Sequence, residues 1–265
     1  MYRFLLILLC FVMAPTMAIE LIAEPKISAQ FSQAKASGTF AMLDVKAQRW
    51  IGHNADRAAT RFSPASTFKI PNSLIGLATG AVSSVDDVFY HHDGQPKYLK
   101  SWEHDMGLRG ALPISNVAAY QELARRIGLP AMQQQLDQLN YGNHQIAGGV
   151  DQFWLNGSLT ISAIEQVQFL TRLAQGALPY PAEMQAAVRE IALLEVGKNW
   201  KLYGKTGWTG RKQPSIGWFV GWVEQDGKLY SFALNMDIPD ASDLPKRIEI
   251  AKASLRTQGL LPVVK

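Results

Sequence analysis

Strand-like apolar segments lie near both ends of this 265-residue chain while helical periodicity dominates its middle. Residues 38–44 and 49–52 read as two strands joined by a polar turn at Lys46-Ala47-Gln48. Near the other end, 200–203, 216–224 and 228–237 read as three more, and Asp226-Gly227 marks a hairpin between the last two. The intervening helices begin with the segment after Pro64, which either stops at Pro71 or tolerates it early and continues to Ala78. Val117, Tyr120, Leu123 and Ile127 then form an apolar face that ends at Gly128-Leu129-Pro130. Further helices are expected over 131–139, 162–173, 182–194 and 244–255, the second with Ser162 as N-cap and Glu165 completing a capping box. Residues 86–113 are turn-rich and irregular. With no repeat and no low-complexity linker, the reading is α+β, an antiparallel sheet flanked by helices with a helical subdomain.

Apolar residues make up 48% of the chain and charged ones 18%, enough for one core or two packed subdomains around a shared cleft. The net charge of +4 is mild, and no Lys/Arg run or basic-aromatic stripe points to nucleic acid. Arg3, the apolar run from Phe4 to Met13 and the small residues Thr16 and Ala18 read as a cleavable leader, giving a signal peptide over 1–18 and one domain over 19–265. The run is too short for a spanning helix, so no stable membrane insertion is expected after cleavage, and a bacterial periplasm is the expected location. Cys10, the only cysteine, lies inside that run, so the remaining chain has neither a disulfide nor a thiol nucleophile.

Ser66-Thr67-Phe68-Lys69 places a hydroxyl and an amine on one helical face. The spacing suits nucleophilic catalysis only if Lys69, or a group derived from it, accepts a proton near neutrality, and an ordinary lysine does not. Alone, Ser-x-x-Lys is most often just a polar turn. Ser115-Asn116-Val117 at the start of the central helix and Lys205-Thr206-Gly207 in a strand change that reading. The three in this order form the pattern of the serine penicillin-recognising enzymes.

Pro64-Ala65-Ser66-Thr67-Phe68-Lys69, Tyr141-Gly142-Asn143, Phe153-Trp154-Leu155 and Lys205-Thr206-Gly207-Trp208 narrow the match: from about residue 38 to 262 the chain resembles the class D, oxacillinase-type β-lactamases. The resemblance implies hydrolysis of the β-lactam amide through an acyl-enzyme on Ser66. It makes Lys69, carboxylated by carbon dioxide or bicarbonate, the general base, with no other cofactor and no metal. It assigns Trp154 to holding the carbamate, Val117 and Leu155 to the pocket walls, and Ser115 to returning a proton to the leaving nitrogen. The backbone N–H groups of Ser66 and Trp208 become the oxyanion hole, and Lys205, Thr206, Gly207 and Arg247 bind substrate. Within Tyr141-Gly142-Asn143, the tyrosine-glycine pair reads as structural, setting a turn near the cleft. Trp102 is either an apolar lid over the substrate or a packing residue, and adjacent His91 and His92 read as surface residues lacking a third metal ligand.

The implied ligands are β-lactam small molecules, penicillins and oxacillin-type compounds first, and the implied consequence is β-lactam resistance. The segment from Thr209 to Ser215, with Arg211, Lys212 and Pro214, and the Ile216-Gly217-Trp218 that follows resemble those of carbapenem-hydrolysing members. Two other readings share the motifs. A receptor that stays acylated is expected behind a membrane-spanning segment, for which residues 1–18 leave no room. A peptidoglycan transpeptidase or carboxypeptidase fits less well with Tyr141-Gly142-Asn143, Phe153-Trp154 and the compact length. Both monomer and homodimer remain open.

Overall fold

The computed structural model describes residues 19–210 and 215–263; the leader, Cys10 and the Arg211, Lys212 and Pro214 of the 209–215 connection fall outside them. Among the described residues seven strands form one sheet: β1 (Ile22–Ala23), β2 (Gly38–Asp44), β3 (Arg49–His53), β4 (Leu193–Val196), β5 (Trp200–Trp208), β6 (Ile216–Gln225) and β7 (Lys228–Asp237). Their order is β1-β3-β2-β7-β6-β5-β4, so the first hairpin pairs with the last through β2 and β7. All neighbours are antiparallel except the two-residue β1, which runs parallel to β3 and makes the sheet mixed. Asp226 and Gly227 have φ of 50° and 73°, the left-handed pair that turns β6 into β7.

Among the described residues ten helices flank the sheet: α1 (Pro25–Ala34), α2 (Ala55–Ala59), α3 (Lys69–Ala78), α4 (Leu108–Ala111), α5 (Val117–Ile127), α6 (Leu129–Leu139), α7 (Phe153–Asn156), α8 (Ala163–Ala174), α9 (Ala182–Ile191) and α10 (Lys246–Thr257). Strand side chains alternate between two cores. Phe40, Met42, Phe219, Phe232 and Leu234 meet α1 and α10, whereas Ala41, Leu43, Trp218, Val220 and Ala233 meet the larger helical layer built on α3, α5 and α8. Both faces are covered, which is why the strands read as nearly continuous apolar runs. The capping box of Ser162 and Glu165 opens α8 as its sequence dictates.

Several elements differ from their expected bounds. The helix expected to run to 194 stops at Ile191; Gly204 N–H bonds Ala192 C=O at 2.9 Å, and the chain turns there into β4. Pro71 sits within the first turn of α3, where its missing N–H costs nothing. Residues 86–113 are mainly irregular, with only a short 3-10 turn, Lys100–Trp102, and α4.

Candidate active site

Ser66 lies in a 3-10 turn, Ala65–Phe68, that runs directly into α3. Lys69 begins α3, is wholly buried, and donates from Nζ to Ser66 Oγ at 2.8 Å. Burial first, and then the charge of Lys205, hold its amine well below the ordinary lysine range. Thr67 fixes the turn: its hydroxyl bonds Pro64 C=O and receives Gln166 Nε2 from α8, both at 2.8 Å. The turn packs against β5 at Gly207, where a Cβ would meet Pro64 O at 2.9 Å and Thr67 Cγ2 at 3.0 Å. Gly207 is therefore required by the nucleophile's own backbone.

Phe153-Trp154-Leu155 forms α7, which is anchored by Ser63 Oγ donating to Trp154 C=O at 3.0 Å. The Trp154 ring stacks on Phe68, the residue before Lys69, at 5.4 Å between centroids. Trp154 is wholly buried, yet its Nε1 has no hydrogen-bond partner among the described residues. A buried N–H without an acceptor is costly, so this donor fits a hydrogen-bond acceptor such as an anionic oxygen. Leu155 and Val117 are both half-buried. Tyr141 is wholly buried, and Gly142, at φ 60°, approaches Thr160 O so closely that a Cβ would lie 2.2 Å away. Asn143 Oδ1 accepts from Thr160 N–H at 2.9 Å. This trio is a structural clamp.

Ser115 does not cap α5. Asn116 does, accepting from Ala119 N–H at 3.1 Å, while Ser115 sits just outside the helix at φ 57°, half-buried, with no hydrogen bond from its hydroxyl among the described residues. Trp102 is 9% exposed and donates from Nε1 to Ile114 C=O at 3.2 Å, so its polar edge ties down the segment leading into Ser115. His91 pairs with exposed Asp105 at 2.8 Å.

Lys205, on β5, is buried and bonds Thr206 C=O at 3.1 Å; burial and then Arg247 push its amine down to about 7. Thr206 is half-buried beside it. Arg247, in the first turn of α10, donates from Nη1 to Gly207 C=O at 2.6 Å, and its buried Nε has no partner among the described residues. Burial lowers it to about 10. Among the described residues no carboxylate offsets these three basic groups, an arrangement suited to an anionic ligand. Thr209 N–H bonds Ile216 C=O on β6, so by the alternation of an antiparallel ladder Trp208 N–H faces the other edge of β5. There β4 pairs no further than Tyr203, leaving that edge open. Ser63 C=O, one turn back from Ser66, accepts Trp218 Nε1 at 2.9 Å. Motif logic found the ionisable groups of this site, but it missed Gln166, Ser73 and Ser215, which have no local signature. Ser215 receives the Trp208 indole at 2.9 Å.

Residues 28–256 match the family described as the penicillin binding protein transpeptidase domain. The chain is 41% identical over 235 residues to beta-lactamase OXA-5 of Pseudomonas aeruginosa, covering 88% of each. It is 39% identical over 248 residues to beta-lactamase OXA-48 of Klebsiella pneumoniae, covering 94% and 93%. Among solved structures, FUS-1 (OXA-85), a class D beta-lactamase from Fusobacterium nucleatum subsp. polymorphum, superposes with a TM-score of 0.88 at 44% identity over 91% of this chain and all of that one.

Proposed function

This chain belongs to the class D β-lactamases, within the penicillin-binding transpeptidase family, and on that premise we propose that it opens β-lactams through an acyl-enzyme on Ser66 with N-carboxylated Lys69 as general base. The observation that carries this reading is a wholly buried lysine, hydrogen-bonded to the nucleophile and with no carboxylate partner among the described residues, while Trp154, stacked on the adjoining Phe68, keeps an indole N–H unpaired among them. Burial keeps the amine neutral, and a neutral nitrogen attacks the carbon of carbon dioxide, forming the C–N bond and releasing one proton. The carbamate supplies an anionic oxygen base, which serves water better than an amine does. Trp154 Nε1 is the donor that holds it, and Val117 and Leu155 wall the pocket.

Ser66 gives up its proton along the contact to Lys69 as Oγ attacks the lactam carbonyl. The oxyanion is received by the N–H groups of Ser66 and Trp208, each worth about 3 kcal/mol in such a hole. The ring C–N bond breaks as Ser115, polarised by Lys205, returns a proton to the leaving nitrogen. Lys205, Thr206 and Arg247 take the substrate carboxylate, which offsets their mutual repulsion. Water, deprotonated toward Lys69, then cleaves the Ser66 ester. Penicillins and oxacillin-type compounds are the proposed substrates, with carbapenems an extension that rests on the 209–215 connection. Export to a periplasm after loss of residues 1–18 is part of the same reading, and among the described residues no helix is long and apolar enough to cross a membrane.

The test is turnover of a chromogenic cephalosporin by purified protein, first stripped of carbon dioxide and then given bicarbonate. Many products per protein, rising with bicarbonate, support both the hydrolase and the Lys69 assignment. Full turnover that ignores bicarbonate removes the carbamate. One equivalent followed by silence in both conditions replaces the hydrolase with an acylated receptor.

A further inference from the structure

Ser73 and Tyr120 are buried polar groups that the reaction above does not use. Ser73 lies one turn beyond Lys69 on α3, and its hydroxyl donates to Lys69 C=O at 2.8 Å. A serine hydroxyl has one proton, so the 2.7 Å contact between Ser73 Oγ and Tyr120 Oη must be donated by the tyrosine. Tyr120 O–H, Ser73 O–H and Lys69 C=O therefore form a directed chain from α5 to the backbone carrying the active lysine. Asn72 Nδ2 adds a second link, to Tyr120 C=O at 3.4 Å. All four residues are wholly buried. The Tyr120 ring centroid lies 5.4 Å from Lys69 Nζ, so the ring anchored by this chain is itself a wall of the lysine's surroundings.

Phenylalanine at 120 with alanine at 73 would fill nearly the same volume with no buried hydroxyl, so packing alone gives no reason for the pair. We propose that the Ser73–Tyr120 hydroxyl chain is a positioning device that holds the Tyr120 ring against Lys69 and keeps its terminus dry enough to take up carbon dioxide. The inference rests on the carbamate reading. An unanchored ring admits water, and water stabilises the protonated amine, which has no lone pair for carbon dioxide.

The experiment compares the wild type with Tyr120→Phe, Ser73→Ala and the double variant. It reads the carbamate signal by NMR after loading with 13C-bicarbonate, the bicarbonate concentration that gives half-maximal deacylation, and Tm. Tyr120→Phe leaves Ser73 bonded to Lys69 C=O, and the half-maximal concentration is expected to rise about threefold. Ser73→Ala strands the tyrosine hydroxyl without an acceptor, and a rise of roughly tenfold is expected. The double variant, with no orphaned hydroxyl, should fall below Ser73→Ala. If Ser73→Ala does not fold, Tyr120→Phe, which keeps the ring, carries the test. A lower Tm with unchanged bicarbonate demand in the variants means the pair only packs, and overturns this inference alone. A wild type with neither carbamate signal nor bicarbonate dependence overturns the base assignment and this inference with it.

Discussion

Two residues at the candidate site hold left-handed backbone without being glycine: Ala65 at φ 47°, immediately before Ser66, and Ser115 at φ 57°. Such a conformation costs about 1 kcal/mol or more for a residue with a Cβ. At Ser115 it keeps the hydroxyl off the helix end, a duty Asn116 takes. Ser115→Gly should therefore unfold at a higher temperature than Ser115→Ala, by about 1 kcal/mol of stability, while both lose acylation rate alike. Thermal melts beside pre-steady-state acylation check this, and equal melts would mean the backbone at 115 is unstrained. Lys205 carries a second prediction. Its amine, at about 7 against an ordinary 10.5, loses its proton on the alkaline side of neutrality. For carboxylate-bearing substrates kcat/KM, which reports the free enzyme, should fall as pH rises through that value. Stability should move the other way. Below about 7 both folded and unfolded chains hold the proton, and from there to 10.5 only the unfolded one does, so stability rises with pH across that window. Lys205 lowers Lys69 by repulsion, so an anion at Lys69 reverses the sign. Saturating bicarbonate should shift the alkaline fall to higher pH, and Lys205→Arg should take it out of the neutral range.

The Ala65–Phe68 turn packs so closely on β5 that a Cβ at Gly207 would lie 2.9 Å from Pro64 O and 3.0 Å from Thr67 Cγ2. Gly207→Ala should push the turn off the strand, moving Ser66 relative to Trp208 N–H, and lower kcat by about a hundredfold, since a displacement near 1 Å has that effect. A fall in KM-controlled steps alone, with kcat unchanged, would show that the strand's role is binding. The Gly207 motif was visible in the sequence, but the partner that requires glycine there was not, because Pro64 and Thr67 are over a hundred residues away. The same contrast runs through the fold. The 38–53 hairpin, the Asp226-Gly227 turn and the Ser162 capping box are local codes, and the chain follows them. β4 was hidden because Leu193-Leu194-Glu195-Val196 continues an amphipathic helix without a breaker, and only Gly204 of β5 ends it. The two-residue β1 and five-residue α2 are too short to leave a period. Ser66, Lys69, Ser115 and Lys205 were legible as chemistry. Gln166, which bonds Thr67, and Ser73, which bonds Tyr120, were not, because each acts only through a tertiary contact.

Because the sheet is covered on both faces, the two cores have different relations to the site. The α1/α10 layer holds Leu255, wholly buried, and meets the site chiefly through Arg247 and the back of the strands. The opposite layer holds Leu123, also wholly buried, which fills the space above Gly76 so tightly that a Cβ there would lie 2.9 Å from its Cδ1. That contact joins α3, carrying Lys69, to α5, which follows Ser115 and carries Tyr120. Leu→Ala at either position should cost about 2–5 kcal/mol, or roughly 5–15 °C in a domain of this size. Activity separates them. Below its melting range Leu255→Ala should keep wild-type kcat and bicarbonate dependence, because its cavity opens behind the sheet. Leu123→Ala lets α3 and α5 shift against each other, so it should need more bicarbonate and deacylate more slowly at the same distance below its Tm. Equal kinetic losses in the two variants, matched for Tm, would mean that the site senses overall stability rather than the spacing of these two helices.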